Sequence, residues 1–220
     1  MARTADNQWP DWVQWQLVRR GIRDRRVLQV MTEVDRGDFL PLEKQKLALE
    51  DAPIPIGCGQ TVSQPYVIAL SLAALRLEGT ERVLDVGTGS GYQAALLSRL
   101  AREVYTIELH QRLYTEGRMN LQRFGKGAVH TRHADGSRGW EEAAPFDGIV
   151  AGCFAEAIPD ALLAQLAPGG RLVMPVGASR RQSLILVEKS AEGALRRSTL
   201  EQVVFVPLLG GKGNPPAVGR

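Results

Sequence analysis

Three glycines, Gly87, Gly89 and Gly91, fall within five residues between a strand-like run, RVLDV from Arg82, and a helix-like run, YQAALLSRL from Tyr92. Glycine costs roughly 0.5–1 kcal/mol relative to alanine inside regular structure, so a cluster at such a junction marks a tight turn or a ligand lying against bare backbone. The chain downstream keeps the same rhythm. EVYTIE from Glu103, AVHTRHAD from Ala128, FDGIVA from Phe146 and RLVMPVG from Arg171 read as strands. QRLYTEGRMNLQRF from Gln111 and IPDALLAQL from Ile158 read as helices, the second closed by Pro168-Gly169-Gly170.

Strands that are apolar almost throughout and alternate with helices need cover on both faces. They predict an α/β fold with a doubly wound, mostly parallel sheet. SLILVEK from Ser183 and QVVFVPLL from Gln202 have no helix between them, which predicts an antiparallel element at one edge. Residues 1–80 are mainly helical apart from a turn-rich stretch, EDAPIPIGCGQTVSQP from Glu50. They predict an N-terminal helical cap with a substrate loop, packed on a core of residues 81–211 and followed by a frayed tail, 212–220.

With 27 Lys+Arg against 24 Asp+Glu, the net charge of +3 gives no nucleic-acid footprint. The densest basic stretch, RRGIRDRR from Arg19, reads as a solvated helix face rather than a polyanion site. The N-terminus has no apolar signal-like region, and the longest apolar stretch, VIALSLAAL from Val67, is far short of the ~20 residues that cross a bilayer. The expectation is a soluble, cytoplasmic protein with neither nucleic acid nor membrane as partner; the oligomeric state stays open, with a monomer favoured. Two cysteines, Cys58 and Cys153, are too few for a disulfide framework, although one bridge is possible.

In an open α/β sheet, ligands bind beyond the carboxyl ends of the strands, where the first strand-to-helix turn offers backbone N–H groups. The dinucleotide pattern G-x-G-x-x-G is not met, because its last position is Tyr92, and Asp85 at the strand end would repel a pyrophosphate but attract an ammonium group. The second strand ends in Glu108, placed to accept hydrogen bonds from both hydroxyls of a ribose, and the third in Asp135-Gly136, where a carboxylate can take an exocyclic amine and bare backbone can approach a ring. Each acid alone reads equally well as a helix cap. Together with Gly87, Thr88, Gly89, Ser90 and Gly91 they describe a ligand with a cationic amino-acid end, a ribose and an amine-bearing base, which S-adenosylmethionine is. The three histidines make no metal site, since His130 and His133 lie on opposite faces of a presumed strand and His110 lies in a turn.

EDAPIPIGCGQTVSQPYVIA, VLDVGTGSGYQAALLSRL, VYTIE, ADGSRGW with APFDGIV, PGGRLVMPVG and FVPLLGG together resemble, in order, the protein-L-isoaspartate O-methyltransferase family over Arg19 to Gly211. The resemblance implies a Rossmann-like methyltransferase that moves a methyl group from S-adenosylmethionine to the free α-carboxylate of L-isoaspartyl residues in damaged proteins or peptides. It implies Ser63 as the active-site hydroxyl and Gln60 and Thr61 as cofactor-side or loop-organising residues. Read without it, Thr61 and Ser63 serve equally well to satisfy turn backbone before Pro65.

Four positions depart from the family's pattern: Cys58 for its Tyr, Ala134 for its Gly, Gly152 for its Thr and Glu156 for its Pro. Three of them lie on loops expected to border the acceptor. They keep open a carboxyl methyltransferase for a dedicated peptide or small molecule, a repulsive Glu156 in the cleft, and a Cys58–Cys153 pair across its mouth. A nucleic-acid amine methyltransferase would carry Asn-Pro-Pro-aromatic after the fourth strand; NPPA occurs only in the tail, from Asn214, without an aromatic.

Overall fold

The computed structural model describes residues 9–211. The first helices, α1 (Asp11–Gln16) and α2 (Arg25–Glu33), turn Val13, Val27, Leu28, Val30 and Met31 inward. α2 begins where the Asp24 carboxylate accepts the backbone N–H groups of Arg26 at 3.0 Å and Val27 at 3.1 Å, a cap worth about 1 kcal/mol. A short hairpin follows, β1 (Ile54–Gly57) and β2 (Gln60–Val62), and then α3 (Pro65–Leu75), which starts on a proline and is apolar on nearly every side. A helix of that composition has to be buried, and α3 is.

The remaining elements alternate as the sequence predicts: β3 (Arg82–Val86), α4 (Tyr92–Leu97), β4 (Glu103–Glu108), α5 (Gln111–Phe124), β5 (Ala128–His133), β6 (Phe146–Ala151), α6 (Asp160–Ala164), β7 (Leu166–Ala178), β8 (Arg181–Lys189) and β9 (Leu195–Val203). The sheet runs β5-β4-β3-β6-β7-β8-β9, parallel as far as β7 and antiparallel at β8 and β9. The order reverses at β3, whose Asp85 lies opposite Thr106 on β4 and Val150 on β6. That reversal opens a crevice at the strands' carboxyl ends. Both faces are covered: Val83 joins one apolar cluster and Leu84 and Val86 the other. The helical cap shares the first cluster, which runs from Val13 to Val203.

Three expectations are corrected. The last strand is not QVVFVPLL but the more polar Leu195–Val203, whose residues are mostly exposed, because an edge strand needs little apolar surface. The apolar FVPLL leaves the sheet instead, and Leu208 is buried in the second cluster, with its N–H on Phe154 O at 2.7 Å. Pro168-Gly169-Gly170 does not terminate a helix before the next strand; it lies inside β7 at an irregularity where Phe146 pairs with Leu166 but Gly148 with Arg171. The basic run is not one solvated face: Arg26 donates to Leu77 O and Leu100 O, Arg19 stacks on Trp15, and Arg20 stacks on Tyr66 and pairs with Asp51. The predicted tail and its NPPA lie outside the described residues.

Candidate active site

Gly87, Gly89 and Gly91 take φ of +96°, +54° and +90°, which side-chain-bearing residues rarely adopt. The turn's N–H groups are not free as the sequence suggests. Those of Gly87 and Thr88 donate to Ile107 O at 2.9 and 3.0 Å, and that of Gly89 to Glu108 Oε2 at 2.9 Å, so the turn is stitched to the end of β4. Gly91 faces away from the crevice: a Cβ there would lie 3.0 Å from Gly117 O on α5. Gly117 is as tightly placed, since its own Cβ would sit 2.7 Å from Gly89 O, and Asn120, one turn on, donates to Ser90 O at 2.9 Å. Neither α5 residue stands out in the sequence, where they read as an ordinary helix face.

The three acids differ in placement. Glu108, 5% exposed, lines the crevice, its two oxygens accepting the N–H groups of Gly89 and His110 at 2.9 and 2.8 Å. Asp85 is fully buried beneath the turn, where Gln93 Nε2 and Thr106 Oγ1 each donate to it at 2.8 Å and Thr88 Oγ1 lies 2.7 Å from Thr106 Oγ1. Burial pushes its carboxyl up to about 6 despite those two hydrogen bonds, and the Glu108 charge adds to the rise. Asp135 accepts the N–H groups of Ser137 and Gly211 at 2.9 Å each, while Gly136 reaches the lining. Asp135 thereby anchors the segment whose Val206, Pro207, Leu208 and Leu209 form one wall.

The opposite wall comes from β2 and the residues after it. Their shape is set by Arg36, 4% exposed, whose guanidinium donates to Ala48 O, Glu50 O, Ala52 O, Val62 O and Ser63 O at 2.7 to 3.3 Å. Carbonyl dipoles, rather than a carboxylate in contact, hold this buried cation. Gln60 and Thr61 face the crevice at Glu108, Thr61 and Ser63 face a second narrow cleft over Thr88, Ser90 and Gln93, and both also line an open groove of about 590 Å³. Thr61 borders all three spaces. Two buried polar atoms along the clefts have no partner among the described residues: Ser90 Oγ and His110 Nε2. The sequence reading missed His110, whose only signal was its position after Glu108.

The sequence model of the protein-L-isoaspartate(D-aspartate) O-methyltransferases matches residues 11–213. The chain belongs to this family. Protein-L-isoaspartate O-methyltransferase 2 of Marinobacter nauticus is 51% identical over 204 residues, covering 92% of this chain and 93% of that protein. A solved protein-L-isoaspartate O-methyltransferase superposes with a TM-score of 0.78 at 29% identity, over 90% of this chain and 65% of that one, so the chain spans about two thirds of its length. A Plasmodium falciparum structure assigned to the same enzyme type, in complex with S-adenosyl-L-homocysteine, superposes with a TM-score of 0.75 at 27% identity, over 87% of this chain and 94% of that one.

The loop positions singled out in the sequence fall in different places. Gly152 and Cys153 line the crevice, Cys153 Sγ lying 3.9 Å from Val86 O, and burial followed by the Glu108 and Asp85 charges pushes that thiol well up. Cys58 is exposed on the β1–β2 turn; both thiols are free, so the possible bridge is not formed. Glu156 does not enter either cleft or the groove but borders a separate hollow with Ile185 and Arg197.

Proposed function

We propose that this protein transfers the methyl group of S-adenosylmethionine to the free α-carboxylate of L-isoaspartyl residues in damaged proteins and peptides, with Ser63 holding the acceptor. The observation that carries the reading is the meeting, at Thr61 and Ser63, of an open groove of about 590 Å³ with narrow clefts running to the glycine turn and Glu108. The residues present fit the cofactor. The cleft is lined by Gly87, Gly89 and Gly136, which carry no Cβ, and Ser90 Oγ and His110 Nε2 beside it have no partner among the described residues. When bound, S-adenosylmethionine supplies a methyl group activated by its sulfonium.

Each Glu108 oxygen accepts one backbone N–H, which leaves a lone pair apiece for the two ribose hydroxyls. Gly87 and Gly89 let backbone lie against the cofactor's methionine part, with Thr88 and Ser90 beside them. Asp85 acts from below the turn, its negative charge favouring a cationic group above it. Gln60 and Thr61 close the crevice on the hairpin side.

On the acceptor side, a carboxylate is ionised at neutral pH and needs no general base to attack a sulfonium methyl. The chain's task is alignment and exclusion of water. Ser63 donates its hydroxyl proton to one acceptor oxygen and leaves the other facing the methyl group. Glu156 borders neither compartment, so it does not oppose an anionic acceptor. The neighbouring backbone amide nitrogen of the substrate then attacks the ester carbonyl and expels methanol, closing a succinimide whose hydrolysis by water returns part of the normal linkage. A chromatographic time course tests this: the aspartyl form of an isoaspartyl peptide accumulates only when protein and S-adenosylmethionine are both present, and no conversion above the uncatalysed rate would contradict it.

A further inference from the structure

The groove at Ser63 has a charge pattern that the proposed transfer does not use. One wall is the segment Gln202 to Phe205, held by the buried Gln182, whose Nε2 donates to Ala178 O at 2.6 Å and whose Oε1 accepts the Phe205 N–H at 2.8 Å. The groove is also lined by Tyr66, with the Arg20 guanidinium stacked 3.3 Å from its ring centroid. Arg20 is paired with Asp51 at 2.6 Å, and Asp51 also accepts from Gln64 Nε2 at 2.8 Å and from the Tyr66 N–H at 3.4 Å, so this pair is internally satisfied. Glu201 accepts the N–H of the adjacent Gln202 at 2.9 Å.

The rim is closed by the β7–β8 turn, which brings Arg180 and Arg181 to the groove. Both are exposed, and neither has a carboxylate within ion-pair distance among the described residues. Two cations without an ion-pair partner among the described residues therefore line the same groove as Ser63. An extended peptide advances about 3.3 Å per residue, so with its reacting carboxylate at Ser63 its neighbouring side chains come within reach of that rim.

We propose that Arg180 and Arg181 make this enzyme select isoaspartyl sites flanked by acidic residues. The inference rests on the acceptor reading above and specifies which peptides the groove prefers. Two exposed ion pairs of ordinary strength give a preference of roughly fivefold in kcat/KM, carried by KM.

The test is a set of short isoaspartyl peptides with Glu, Ala or Lys placed on the N-terminal side, the C-terminal side or both, assayed with the full chain at about 0.05 M and 0.5 M salt, where screening lengths of roughly 14 and 4 Å separate steering from contact. The expected ranking is Glu above Ala above Lys, flattening at high salt, lost in Arg180→Ser/Arg181→Ser and inverted in Arg180→Glu/Arg181→Glu. Methylation of all peptides with no charge ranking, or a ranking unchanged by the double variants, overturns this inference alone. Failure of every isoaspartyl peptide to accept methyl overturns the acceptor reading and this inference with it.

Discussion

Arg36 Nη2 donates to the carbonyl oxygen of Ser63 at 3.0 Å, from a guanidinium that is itself 4% exposed and bonded to four other backbone carbonyls. The residue proposed to hold the acceptor is thus positioned by a cation that does not line the groove. Lysine lacks the planar fork needed to hold five carbonyls. Arg36→Lys and Arg36→Met should each lower stability in chemical denaturation by about 3 kcal/mol or more, since buried acceptors lose their partners. Protein that remains folded should lose turnover; unchanged stability in both variants would contradict the placement.

Ser63→Ala removes a hydrogen bond to a charged acceptor, worth about 1.5–3 kcal/mol, without altering the cleft at Glu108. Turnover should fall roughly 10- to 100-fold, while calorimetric affinity for S-adenosylhomocysteine stays within about twofold of the unaltered protein. Equal losses in both would make Ser63 a cofactor-holding group and contradict its role in holding the acceptor.

Asp85 gives a pH signature. Its carboxyl sits at about 6 against an ordinary 3.8 because burial disfavours the charge. The folded chain holds this proton more tightly than the unfolded chain, so the stabilisation is complete below about pH 4 and is lost as pH rises through 6. At 1.36 kcal/mol per pKa unit the change is about 2–3 kcal/mol. Asp85→Asn should remove that slope, and the difference between variant and parent measured by denaturation should grow from pH 4 to pH 7. A cationic ligand above the turn favours the ionised form, so cofactor binding near pH 6 should release protons, read by calorimetry in buffers of different ionisation enthalpy.

Gly117→Ala brings a Cβ to 2.7 Å from Gly89 O, a backbone atom that cannot swing aside. Overpacking of this kind costs about 1–3 kcal/mol, against about 1 kcal/mol gained in helix propensity. The variant should be destabilised and should bind S-adenosylhomocysteine more weakly. A variant more stable than the parent, with full affinity, would show that α5 does not hold the turn.

Much of this was legible in the sequence because the residues concerned act through periodicity or through glycine. RVLDV, EVYTIE, FDGIVA and the α5 helix were readable from their patterns to the residue, and Glu108 from its place at a strand end. What the sequence could not disclose are contacts made at a distance. Arg36 reaches carbonyls up to 27 positions away, and Gly117 matters only because the glycine turn lies against it. The edge strand is not legible by pattern because FVPLL carries the hydrophobicity expected of a strand, yet its Val206 to Leu209 line the crevice, while Leu195–Val203 pairs through its backbone.

The most direct measurement of the central claim is kcat/KM for methyl transfer to two peptides identical except for one linkage, isoaspartyl in one and normal aspartyl in the other. Strong methylation of the isoaspartyl peptide, at least about a hundredfold above its twin, is the predicted result. Equal rates on the two, or methylation of neither while S-adenosylhomocysteine binds, would contradict it.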